Sequence, residues 1–223
     1  MKQKYDFKKL EKEDDEMCVV ILRKGIATPI SKALINHTDV KPNHITALSF
    51  VFLIISSIFF VFGEHRWLIM GAVFVFFYMI FDCVDGNIAR VKGLCSKSGE
   101  WLDGIIGFIS VPLLAFSLAL GINTTLGFLL GSLVMLAFPM QYLIVRFYKL
   151  DIRRVNEPLR SGSKKVDTIK RLYGAGLFFT ALIICALINR PIWVLWVFAI
   201  AGNIVWMITI FLEYLDMRRR TIY

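Results

Sequence analysis

The chain has 223 residues, 57% of them hydrophobic, and a mean hydropathy of +0.64, which is more apolar surface than one soluble core can bury. An all-α integral membrane protein is predicted. The formal net charge of +9 does not point to nucleic acid, because the basic residues flank apolar runs and are not interleaved with exposed aromatics; they suit anionic membrane lipids.

Residues 2–16 are charged and lack the apolar core of a cleavable signal. Thr28 and Pro29 then read as a helix start, with Thr28 as cap and Pro29 in the first turn. Ile26, Ile30, Ala33 and Leu34 give that helix one apolar face, as expected of an amphipathic helix lying in the cytoplasmic interface. Pro42 and Asn43 mark the turn into the first span, and Thr46 follows on its first turn.

Apolar runs cover residues 45–62, 67–81, 104–120, 125–145, 175–188 and 191–215. The second continues as helix through the aspartates that follow it. The fifth is shorter than the roughly 20 residues a span needs, but extends back through Ile169 and Tyr173. Six transmembrane helices are predicted. The chain then divides into a cytoplasmic N-terminal segment (1–41), a six-helix membrane domain (42–216) and a basic cytoplasmic tail (217–223).

Of the 26 lysines and arginines, 24 fall on one side of this arrangement, with Arg66 and Arg190 opposite. Basic loops stay in the cytoplasm, so both termini are expected there, in a multi-pass cell (inner) membrane protein. Asp82, Asp85 and Asp103 then lie at the cytoplasmic ends of the second and third spans, where nucleotides are available.

Charged groups at a membrane boundary are costly unless they bind something. Asp82 and Asp85 stand three residues apart, so on a helix they project from one face and can share a cation. Gly86 lets a ligand approach the backbone, and Arg90 supplies a fork matched to phosphate oxygens. The set predicts a metal-diphosphate site, with Mg²⁺ or Mn²⁺ held by Asp82, Asp85 and Asp103. Arg90 and Lys92 are placed to clamp the diphosphate.

Cys18, Cys83, Cys95 and Cys185 show neither zinc spacing nor a disulfide pattern. Cys83 sits between two candidate ligands, yet hard cations ignore thiols. His44, near the cytoplasmic end of the first span, is within reach of the site, although a lone interfacial histidine is commonly a surface or capping residue. Arg146, with Lys149, Arg153 and Arg154, clusters where the fourth span ends. These residues either contact a phosphate-bearing acceptor or set topology.

At the aspartates the chain resembles the CDP-alcohol phosphatidyltransferase family. That signature runs D-x-x-D-G-x-x-A-R, then eight residues, G, three residues, D, three residues, D; Asp82, Asp85, Gly86, Ala89, Arg90, Gly99 and Asp103 match seven of its eight positions. The resemblance implies a CDP-linked nucleotide or lipid donor, an alcohol or phosphate acceptor, release of CMP and a homodimer. It also implies that the backbone around Gly86, Ala89 and Gly99 accommodates the cytidine.

The eighth position departs. Gly107 stands where the family places an aspartate that completes the metal site and is the proposed general base. A hydroxyl acceptor gains roughly 10²- to 10⁴-fold in rate from a base, whereas an acceptor phosphate or phosphonate is already ionised and needs none. Glu100, three residues before Asp103 on the same helical face, is the candidate substitute base.

The leading expectation is a transferase moving a phospho-alcohol group from a CDP-linked donor, in phospholipid or related biosynthesis. The alternative is a catalytically silent relative that binds CDP-lipid or nucleotide as a partner or scaffold. An aspartate-rich prenyltransferase fits the motif poorly, and a transporter would need broken helices or repeats at the midplane.

Overall fold

The computed structural model describes residues 6–10, 16–147 and 173–220, and all regular structure among them is helical. A 3-10 turn at Phe7–Leu10 precedes α1 (Met17–Leu22), which passes through a π turn at Arg23–Ala27 into α2 (Thr28–His37). The bundle follows as α3 (Pro42–Val61), α4 (His65–Lys92), α5 (Lys97–Ile122), α6 (Thr125–Phe147), α7 (Ala175–Leu187) and α8 (Pro191–Arg220).

Five of these helices, namely α3 to α6 and residues Pro191–Leu215 of α8, are long and apolar enough to cross a membrane. The sixth expected span, α7, has 13 residues and so reaches only about 20 Å. It does not extend back through Tyr173, because Gly174 is extended and α7 begins at Ala175. Ile169, Lys149, Arg153 and Arg154 lie outside the described residues. At the other end of the chain α8 runs on to Arg220, so residues 217–220 continue the helix of the last span.

Local chemistry sets the helix ends around the site. Pro42 starts α3, where a missing N–H costs nothing. Gly93 ends α4 in the left-handed region at φ 68°, which a residue without Cβ adopts freely. After a short link, Ser96 caps α5 by accepting from the Gly99 N–H at 3.1 Å. The turn between α4 and α5 therefore brings Asp103 opposite Asp85.

The N-terminal helix differs from its expected form. Thr28 is itself helical at φ −64°, ψ −48°, so it continues a helix begun at Met17 and is not a cap. A π turn adds one residue to the helix and rotates the face beyond it by about 100°. As a result Ala27, Ser31 and Ile35 are buried, with Ile30 and Leu34 beside them, while Ile26 and Ala33 are exposed. This buried face packs with Ile80, Val84 and Ile88 of α4. The main core lies deeper, where Leu53, Val75, Leu114, Val134, Phe178 and Leu195 meet. At the far end α3 and α5 touch backbone to backbone, so a Cβ on Gly121 would strike the Phe60 carbonyl.

Candidate active site

α4 ends and α5 begins beside two cavities. The smaller, about 350 Å³, is lined by Asn43 and Thr46 of α3, by Asp85, Gly86, Ala89 and Arg90 of α4, and by Gly99, Glu100 and Asp103 of α5. The larger, about 600 Å³, is bordered by Asp82, Asp103 and Gly107 and by aromatic and aliphatic side chains of α1, α4, α5, α6 and α7, including Tyr78, Phe138 and Phe179. Asp103 faces both. The three signature carboxylates are thus divided: Asp85 opens to the small cavity, Asp82 to the large one, and Asp103 stands where they meet.

Asp85 is 4% exposed, and its Oδ2 accepts from the Thr46 hydroxyl at 2.6 Å. The Pro42 carbonyl lies 3.2 Å from the same hydroxyl. With one proton to give, Thr46 donates to the nearer and more basic carboxylate. That bond fixes one Asp85 oxygen and stabilises a charge that burial alone would make costly.

Arg90 is half-buried and its Nη2 donates to Asn87 Oδ1 at 2.7 Å. The side chain folds back over Gly86, where a Cβ would stand 3.1 Å from Arg90 Nη1. At Gly99 a Cβ would come within 3.1 Å of Ser96 Oγ and 3.2 Å of Asn43 Oδ1. Both glycines therefore admit polar side chains of the small cavity at close range. At Gly107, by contrast, a Cβ would meet nothing within 4 Å, so an aspartate there would have room.

The remaining expected site residues take different places. Ala89 lines the small cavity, and so does Glu100, which is exposed and absent from the lining of the cavity that contains Gly107. Lys92, expected beside Arg90 as a second clamp, donates to the carbonyls of Thr38 at 2.9 Å and Val40 at 3.3 Å. It ties the end of α4 to the link before α3. Arg146 is exposed and donates to the Tyr142 hydroxyl at 3.0 Å; Tyr142 borders the large cavity while Arg146 itself lines neither. His44 is exposed and lines neither cavity, and Cys83 is buried on the wall of the larger one.

Three carboxylates on α4 and α5 are the donor chemistry of a hard divalent cation. Among the described residues no three His, Cys, Asp or Glu side chains stand together at ligand distance. Sequence reasoning placed Asn43 and Thr46 only at the turn into the first span and on its first turn, and missed Asn87 altogether. An alternating or helical period carries no signal for a side chain whose partner is on another helix.

A family model for CDP-alcohol phosphatidyltransferase matches residues 40–212. Among solved structures the chain is similar to the phosphatidylinositol phosphate synthase (PgsA1) of Mycobacterium tuberculosis, solved with CDP-DAG bound. The TM-score is 0.63 and the identity 19%, and the match covers 82% of this chain and 90% of that one. The two share a fold. No curated protein matches the sequence.

Proposed function

This chain belongs to the CDP-alcohol phosphatidyltransferase family, and from that premise we propose that it transfers a phospho-alcohol group from a CDP-linked donor to an acceptor, with release of CMP. The observation that carries this reading is the position of Asp103 between a small cavity that also holds Asp85, Arg90 and Glu100 and a larger one walled by Tyr78, Phe138 and Phe179. A nucleotide diphosphate suits the first, where Arg90 offers its fork above Gly86. The acceptor and any lipid chains suit the second. The neighbour solved with CDP-DAG favours a CDP-linked lipid as donor.

Asp82, Asp85 and Asp103 would hold Mg²⁺ or Mn²⁺, which supplies charge neutralisation at the diphosphate when bound. Thr46 keeps Asp85 in one orientation, and Arg90, five residues further along the same helix, would neutralise phosphate charge. Positioning and electrostatics of this kind provide most of the rate when the leaving group is good, as CMP is.

Gly107 leaves no side chain one turn beyond Asp103 to take a proton from the acceptor. Glu100 stands on the donor side of Asp103 and does not fill that place. An acceptor that is already ionised, such as a phosphate or phosphonate, fits this arrangement because it needs no base. The distribution of basic residues favours a cytoplasmic face for the site, with α1 and α2 in the interface.

Gly107 also favours a second reading, a silent relative that binds the donor without turnover. Purified protein with Mg²⁺, CDP-diacylglycerol and a panel of acceptors separates the two. CMP formed only when an acceptor is present supports the transferase. Donor binding with no CMP from any pair supports the silent relative, and no binding of any CDP compound defeats both.

A further inference from the structure

The N-terminal helix reaches the donor cavity through a buried amide that the signature leaves unassigned. Asn87 is fully buried and lines neither cavity. Its Oδ1 accepts from Arg90 Nη2 at 2.7 Å and from Arg23 Nη1 at 2.8 Å. Its Nδ2 donates to Ser31 Oγ at 3.0 Å, and the Ser31 hydroxyl donates to the Ala27 carbonyl at 2.6 Å. Guanidinium groups only donate, so the amide oxygen must face the two arginines. Ser31 spends its one proton on Ala27 and therefore presents a lone pair to Asn87. Every proton in this chain has one direction.

We propose that Asn87, held in place by Arg23 and Ser31 of the N-terminal helix, is a positioning residue that fixes the Arg90 guanidinium in the small cavity. Arg23 and Ser31 lie 64 and 56 residues before Asn87, so a helix outside the bundle becomes part of the site. A free arginine loses rotamer entropy each time it captures a phosphate. Asn87 removes much of that cost by holding the fork beforehand, above a glycine that leaves it room. The effect on donor binding rests on the function proposed above, whereas the positioning of Arg90 does not.

The alternative is that the amide merely anchors the N-terminal helix. An anchor would affect stability and leave the reactivity of Arg90 unchanged. The test uses the full chain in detergent with four proteins: wild type, Asn87→Leu, Ser31→Ala and the conservative Asn87→Asp, which keeps an acceptor for both guanidinium groups. Peptide mass spectrometry follows phenylglyoxal modification of Arg90, and calorimetry with Mg²⁺ follows binding of CDP.

Asn87→Leu is expected to raise the Arg90 modification rate and the CDP Kd about tenfold, as loss of one charge-assisted hydrogen bond implies. Ser31→Ala should shift both in the same direction by about threefold, and Asn87→Asp, which keeps the acceptor for Arg90 but loses the donor to Ser31, should raise the Arg90 modification rate no more than Ser31→Ala does. A folded Asn87→Leu protein whose Arg90 reacts at the wild-type rate overturns the proposal. If Asn87→Leu does not fold, Ser31→Ala decides in the same way. If wild type binds no CDP compound, the proposed function falls, and the Arg90 modification rates still decide the positioning role.

Discussion

Replacing Gly86 by alanine separates stability from function. Gly86 is interior to α4, where Gly→Ala gains about 0.5–1 kcal/mol of helix stability. The added Cβ would stand 3.1 Å from Arg90 Nη1, inside ordinary contact distance, so the guanidinium must retreat by about half an ångström. A side-chain end can do so at little cost to the fold. Its 2.7 Å bond to Asn87, made by the other terminal nitrogen, would be stretched toward the long end of the hydrogen-bond range by that retreat, losing part of the roughly 1.5–3 kcal/mol that a hydrogen bond to a charged group contributes. The methyl group also covers backbone that a ligand in the small cavity would approach. Gly86→Ala is therefore expected to keep or slightly raise the unfolding temperature while weakening CDP binding by up to about tenfold. Thermal unfolding followed by tryptophan fluorescence and calorimetry with Mg²⁺ and a CDP-linked donor measure the two quantities. An alanine variant with wild-type donor affinity would refute the role given to Gly86 and to the fold of Arg90 over it.

Asp82→Asn and Asp85→Asn should each abolish metal-dependent CDP binding, seen as loss of the thermal shift that Mg²⁺ and CDP together produce and EDTA reverses; EDTA-insensitive CDP binding in both variants would contradict the site. Thr46→Val removes the 2.6 Å bond to Asp85 with little change of shape, and should lower both stability, by about 1.5–3 kcal/mol, and donor affinity. Thr46→Ser should preserve both, and a valine variant equal to the serine one would sink this assignment. Gly107→Asp has room for its side chain and should fold. In an enzyme adapted to an ionised acceptor the added charge repels that acceptor and lowers CMP release, whereas a mutant that turns over a hydroxyl acceptor beside an inactive wild type would establish the silent relative.

The carboxylates were legible because Asp82, Asp85, Gly86 and Arg90 follow one helix end and Gly99 and Asp103 begin the next, so local periodicity alone places them at one level. The long apolar helices were legible for the same reason. The short α7 was not, because its start depends on the extended backbone at Gly174, against which the Glu16 carboxylate packs. The buried face of α2 was misjudged because the π turn at Arg23–Ala27 shifts the helical register, and such turns leave no clear mark in composition. The pairing of Thr46 with Asp85 spans 39 residues, and a threonine near a helix start reads simply as a local group. The division of the aspartates between two cavities depends on where α1, α6 and α7 cross the end of the bundle, which no local pattern specifies.

The central claim is that Asp103, facing both cavities, joins a bound CDP-linked donor to an acceptor. Its most direct test is CMP release by the wild-type protein and by Asp103→Asn, with Mg²⁺, CDP-diacylglycerol and phosphate-bearing and hydroxyl acceptors. The account predicts acceptor-dependent CMP from wild type and at least a hundredfold less from Asp103→Asn, the scale of about 2.7 kcal/mol of lost transition-state stabilisation. Equal CMP release by the two proteins would contradict it.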